Sequence, residues 1–541
     1  MFKYKALDIS GALLDERQLE IHLQKIAADQ ILKASSDKDT YPIPRLKDNI
    51  RFIYDVYNFL GEDLKNNIPI HPAGEWILDN FYIIDKNAKI IEKDLNRKKY
   101  KNYVGIANGI NRGFARVYVL AREIISYTDG KIDAPSLERY LQSYQSKKTL
   151  SMEELWSINT FLQIALIEKI RGICEKIYLS QMQKRKVENI ISRLVEFDES
   201  TLYKLPKKYN LKMKENIESK FPFIEYMSYR LKNYGKKAYG YMEILESQVN
   251  KMGSNIYSCI NREHYDIAIK KISIGNSITS INALNRMNFV EIFDKTNGVE
   301  EVLKQDPCNE YDLMDYATKE YYRAEIEKIA KKTKVSELYI AKKCLELASR
   351  DFPQNERGSC IKDKRKHVGY YLISEGKQEL YTILLNRKIS KHDYLKNARL
   401  YVNAISILSI IIGCIFGIYI HIKTESFVKA IGIFLLSIVP LKSIFIKTSQ
   451  YISGKIVRPR LIPKLDYTNG IPEDKTTMVV IPTIVKDVDK IRAIFKKLEV
   501  YYMANKSENI YFTLLGDCSC SKQEHEVFDE ELIKARYGGM Q

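Results

Sequence analysis

Residues 478–485 read MVVIPTIV, and residues 509–517 read NIYFTLLGD. Between them stands KDVDKIRAIFKKLEVYYMANKSE, residues 486–508. The two outer runs are apolar and rich in β-branched and aromatic side chains, as strands are. The middle run repeats its apolar residues at helical spacing. Strand, amphipathic helix, strand is the parallel crossover unit, and it opens α/β sheets that bind nucleotides. Pro482 and Thr483 stand at the end of the first run and Asp517 at the end of the second. Only 541 − 517 = 24 residues follow Asp517.

Outward from that unit the chain changes character. Residues 400–420, LYVNAISILSIIIGCIFGIYI, hold no charge, and at 1.5 Å per residue they reach across a hydrocarbon core of about 30 Å. Residues 427–446 are a second apolar run, with Lys429 and Lys442 near its ends and Pro440 as an expected kink. The connection HIKTES, 421–426, leaves room only for a hairpin. Both outer flanks, RKISKHDYLKNAR and KTSQYISGKIVRPRLIPK, are basic, whereas the connection is nearly neutral. The positive-inside rule then places both flanks in the cytoplasm, as a multi-pass protein of the inner membrane in contact with lipid.

Residues 1 to about 395 show helical periodicity and few turn signals. Ser151 and Glu154 form a capping box ahead of LWSINTFLQIALIEKI, which is apolar nearly all round and reads as a central buried helix. The fold class is therefore mainly α. The expected order is a helical cytoplasmic domain (1–395), a transmembrane hairpin (396–447), a linker (448–477) and a truncated start of an α/β domain (478–541).

The excess of basic over acidic residues, 86 − 68 = +18, fits either nucleic acid or an anionic membrane surface. The run KDKRKH at 362–367 has no interleaved aromatics and no reading module around it. A solvated or membrane-facing patch is the better reading, and no nucleic-acid partner is expected. The eight cysteines are scattered without paired CxxC spacing, and the seven histidines are isolated in sequence. Cys518 and Cys520 have no second ligand pair nearby, and Asp529, Glu530 and Glu531 read as a solvated helix face. No phosphate loop, HExxH or GxSxG is present, so the helical region offers no catalytic constellation of its own.

Seven stretches, in order, resemble the N-terminal part of bacterial cyclic β-1,2-glucan synthases. They are PAGEWILDNFYIID (72–85), RVYVLAREIISYTDG (116–130) and YLQSYQSKKTLSMEELWSINTFLQIALIE (140–168), then VLKQDPCNEYDLMDYATKEYYRAEIEKIA (302–330) and HVGYYLISEGKQELY (367–381), and finally LIPKLDYTNGIPEDKTTMVVIPTIV (461–485) and LEVYYMANKSENIYFTLLGD (498–517). The resemblance implies a membrane glucosyltransferase that uses UDP-glucose in the cytoplasm to build a β-1,2-glucan. It implies that the α/β unit opens a glycosyltransferase-A domain, which family members complete before further spans and a large phosphorylase-like domain. On this reading the chain is the first portion of such a synthase and inactive alone. A separate downstream transferase polypeptide is a possible partner, and a non-catalytic membrane-anchored scaffold that binds it is the alternative.

By the same resemblance, Asp517 would accept hydrogen bonds from the uracil and ribose of UDP-glucose, with Pro482 and Thr483 lining the pocket. On position alone, Asp517 is equally a helix cap or turn residue. The family usually has Thr where Gly516 stands and an Asp-Ala pair where CSCS follows. No cofactor is expected within this chain, and a divalent cation, Mg or Mn, only with a completed transferase domain.

Overall fold

In a computed structural model, the protein is described at residues 9, 11–195, 220–233, 238–350, 364–385, 392–456, 461–485 and 488–518. Helices dominate. The chain forms two compact units, Met1–Val302 with Ser336–Ala341, and Leu303–Val335 with Lys342–Gln541.

The first unit is built round the helix Met152–Val195. Ile158, Phe161, Leu162, Ile164, Ala165, Leu166, Ile167 and Ile170 are all buried, and from residue 161 to 171 the helix has no solvent face. Helices Ile43–Lys65, Pro72–Asp94, Arg116–Tyr127 and Ile256–Arg286 pack around it. Its start is the expected capping box. The Ser151 amide donates to Glu154 Oε2 at 2.8 Å, and the Glu154 amide donates back to Ser151 Oγ at 3.3 Å. The same carboxylate takes two hydrogen bonds from Arg116, Nε at 2.8 Å and Nη2 at 2.6 Å. Both partners are buried, so the cap also locks helix Arg116–Tyr127 in place. Removing one member of such a pair strands a buried charge, at a cost of about 3–5 kcal/mol.

In the second unit, helices Tyr316–Thr333, Val368–Ile373 and Lys377–Leu385 precede two long apolar helices, His392–Thr424 and Phe427–Ile456. The turn between the apolar pair is shorter than HIKTES suggests. The first helix runs on to Thr424, and Glu425, at φ 50°, reverses the chain. The second helix continues through Pro440. Two segments, Val402–Thr424 and Phe427–Lys455, are long and apolar enough to cross a membrane, with mean hydropathies of 2.4 and 1.9. They pack on each other through Gly413 and Gly417, which lie against Phe434 and Ala430. Their outer faces display Ile410, Ile415, Ile418, Leu435 and Val439. A buried helix of a water-soluble core would cover such residues.

The chain then reaches strands Thr477–Val485 and Ile510–Cys518, joined by helix Val488–Ala504. The strands pair in parallel, Thr477 opposite Ile510 through Val485 opposite Cys518. The crossover unit expected from MVVIPTIV and NIYFTLLGD is therefore present.

Candidate functional site

Parallel pairing puts the carboxyl ends of both strands at one edge, which is where ligands of open α/β sheets bind. The register sets Thr483 opposite Gly516, Ile484 opposite Asp517 and Pro482 opposite Leu515. The first strand continues two residues past Thr483 to Val485, so Pro482 and Thr483 lie within it rather than at its end. Pro482 has no amide hydrogen to contribute, and a strand with an unpaired side accepts that.

Side chains alternate across a sheet, and paired residues share a face. One face carries Val479, Ile481, Phe512 and Leu514, which are buried or half-buried. The other carries Met478, Val480, Ile484, Tyr511 and Leu515, all exposed. Thr483 belongs to the covered face and is half-buried, while Asp517 and Pro482 belong to the open face and are exposed. The three candidate residues thus meet at one edge, with Thr483 on the opposite face from the other two. A ligand could touch all of them only by lying across the strand ends.

Asp517 is the carboxylate that sheet contributes at that edge. Among the described residues no group of three or more His, Cys, Asp or Glu could hold a metal ion. The described residues at that edge therefore do not make up a divalent-cation site. Cys520 and the cluster Asp529, Glu530 and Glu531 lie outside the described residues, as do Lys362 and Asp363 of the basic run. Lys364–Lys366 form a 3-10 turn.

The second unit also holds a cluster that sequence spacing hid. His367 Nδ1 lies 2.7 Å from Asp306 Oδ2, and its Nε2 lies 3.1 Å from Tyr322 Oη. Asp306 is buried and also accepts from the amides of Val368, at 2.9 Å, and Glu310, at 3.4 Å. Burial and the Asp306 carboxylate push the Tyr322 hydroxyl far above its ordinary range. A Cβ on Gly369 would sit 2.2 Å from Tyr322 Oη, so only glycine fits there. With its hydroxyl held protonated and its polar atoms mutually satisfied, this trio acts as a pin between the loop at Asp306 and the helix beginning at Val368. Its members come from two of the quoted stretches, Asp306 and Tyr322 from 302–330 and His367 from 367–381. That ordered pairing was the available signal.

No family model matches the chain. It is 22% identical, over 501 residues, to the cyclic beta-(1,2)-glucan synthase NdvB of Rhizobium meliloti (strain 1021). That match covers 91% of this chain and 17% of the synthase, so the chain spans about a sixth of the length of its curated relative. With a parallel strand pair after two long apolar helices, this mainly α protein is similar by sequence to a portion of a cyclic glucan synthase.

Proposed function

We propose that this chain is the membrane-anchored N-terminal portion of a glucosyltransferase that builds a β-1,2-glucan from UDP-glucose. The observation that carries the reading is the parallel strand pair, whose register gathers Pro482, Thr483 and Asp517 at the carboxyl edge. The likeness to a cyclic glucan synthase supports the same reading. The apolar pair crosses the inner membrane as a hairpin, and the sheet lies on the cytoplasmic side, where sugar nucleotides are made. Asp517 accepts hydrogen bonds from the uracil and ribose, and Pro482 and Thr483 line the pocket.

The open face of the sheet supports a second element of the reading. Parallel sheets are covered on both faces, and here Met478, Val480, Ile484, Tyr511 and Leu515 stand uncovered among the described residues. The transferase is completed by further strands and helices, supplied by chain that follows or by a separate downstream polypeptide. The metal site and the base that deprotonates the acceptor hydroxyl come with them.

The test is Asp517→Asn in a protein carrying the completed domain. A hydrogen bond to a charged acceptor contributes about 1.5–3 kcal/mol, so the dissociation constant for UDP-glucose should rise about 10- to 100-fold. Unchanged binding would make Asp517 a turn residue and remove the site assignment.

A further inference from the structure

The segment between the apolar helices and the sheet is held at both ends. At its start, Leu465 pairs with Met314 in an isolated antiparallel bridge. The Asp315 amide donates to the Lys464 carbonyl at 3.2 Å, and the Asp466 amide donates to the Leu313 carbonyl at 2.7 Å. The Lys464 amide donates to Thr318 Oγ1 at 3.1 Å, and Lys464 Nζ lies 3.9 Å from Asp315 Oδ2. At its far end, the Ile471 amide donates to Ser507 Oγ at 3.2 Å, and Asn509 Nδ2 donates to the Ile471 carbonyl at 2.8 Å. Asn509 stands just before the second strand, and its carbonyl accepts from the Thr477 amide, at 2.9 Å, at the start of the first. Between the two ends, Asp466 closes a turn by accepting from the Thr468 amide and hydroxyl, at 3.0 and 2.8 Å.

We infer that residues 461–477 are a positioning strap, which sets the orientation of the strand pair relative to helix Tyr316–Thr333, with Thr318 and Asp315 as its receiving residues. Asp315 caps that helix by accepting from the Thr318 amide at 2.9 Å. One short loop therefore starts the helix and receives the strap. The hydrogen bonds with Thr318 hold the Asp315 carboxyl below its ordinary range, which keeps it charged beside Lys464. Thr318 is fully buried, so its hydroxyl has little choice of partner. The loop is fixed on its other side by the Asp306–His367–Tyr322 pin. A flexible linker would leave the strand ends free to swing beneath the apolar helices. A strap bonded at both ends makes their direction follow the helical part of the same unit. That the strap holds a nucleotide-sugar site rests on the function proposed above. The docking itself does not, and its test involves no sugar nucleotide.

Thr318→Val keeps the volume and removes the hydroxyl, while Thr318→Ser restores it. Hydrogen exchange of the full chain in lipid nanodiscs reads the result. A neutral hydrogen bond contributes about 0.5–1.5 kcal/mol, so Thr318→Val should speed exchange about 2- to 10-fold in peptides covering 461–470 and 477–485. Peptides covering 316–333 and 402–455 should keep their rates, and Thr318→Ser should return the strap to wild type. Unchanged exchange at 461–485, or a rise spread through 316–333 that serine does not reverse, overturns the inference.

A second test does not depend on that variant folding. The flanking bonds make Met314 and Leu465 a narrow antiparallel pair, with Cα atoms about 4.5 Å apart, inside the range a disulfide spans. Met314→Cys with Leu465→Cys should cross-link on mild oxidation in membranes. Failure to cross-link would show that the strap is not docked.

Discussion

At the scale of single residues, burial decides which charges matter. Glu263, on helix Ile256–Arg286, is buried, and its Oε1 has no hydrogen-bond partner. Burial raises its carboxyl to about 7, against the pull of Lys270 and Lys184 and with the push of Asp266 and Glu225. A carboxyl whose folded value lies above its unfolded value of 4.5 stabilises the fold by keeping its proton. That contribution is fully present below about pH 4.5 and is lost as pH rises through about 7. Glu263→Gln should therefore leave stability nearly unchanged at pH 5 and raise it at pH 8, by roughly 2–3 kcal/mol at most. Urea titrations of both proteins at the two pH values check this, and an equal gap at both would dismiss the assignment. Nothing in the sequence around Glu263 marks it. NREHYDIA reads as an ordinary polar helix turn, because the neighbours that bury it come from other helices. The Ser151–Glu154 capping box lay in plain view, since both partners are three residues apart. The Arg116 that completes it, 38 residues away, did not.

At the scale of elements, local patterns carried well. The uncharged run at 400–420 and the alternation between MVVIPTIV and NIYFTLLGD each depend on residues that are neighbours in the chain. Helix ends were harder to place. The first apolar helix extends to Thr424, beyond the charge-free run, because Lys423 and Thr424 can continue a helix while Glu425 takes the left-handed turn. The strap could not be read at all, since its bridge joins Met314 to Leu465 across some 150 residues. The tight turn between the apolar helices makes a specific demand on topology. If both cross the membrane, residues before 392 and after 456 must lie on one side. On the proposed reading that side is the cytoplasm, the side the positive-inside rule gives for basic flanks. Reporter fusions at residues 390 and 460 should both give cytoplasmic signals, and an outside signal from either would leave a single crossing.

At the scale of the whole molecule, the two units differ in how far they satisfy themselves. The first buries the middle of its central helix, residues 161–171, on every side. Among the described residues, the sheet of the second is covered on one face only. Its covered face rests on helix Val488–Ala504, where Leu498 is buried against Leu514's side of the strands. Its other face exposes five large apolar residues beside Asp517. A uracil seated at the carboxyl edge would have protein on one side and water on the other. In water a carboxylate–amide hydrogen bond replaces one with solvent and gains little. Glycosyl transfer also needs a base for the acceptor and a counter-charge for the departing diphosphate, which on the proposed reading come with the rest of the transferase domain. Purified residues 1–541, reconstituted in membranes with labelled UDP-glucose, should therefore incorporate no label into polymer and show no saturable binding of the nucleotide sugar. On the proposed reading, a polypeptide carrying the rest of the transferase domain should restore both together. Incorporation by the purified chain alone would mean that the exposed face is a working surface, and that the catalytic groups lie within these residues.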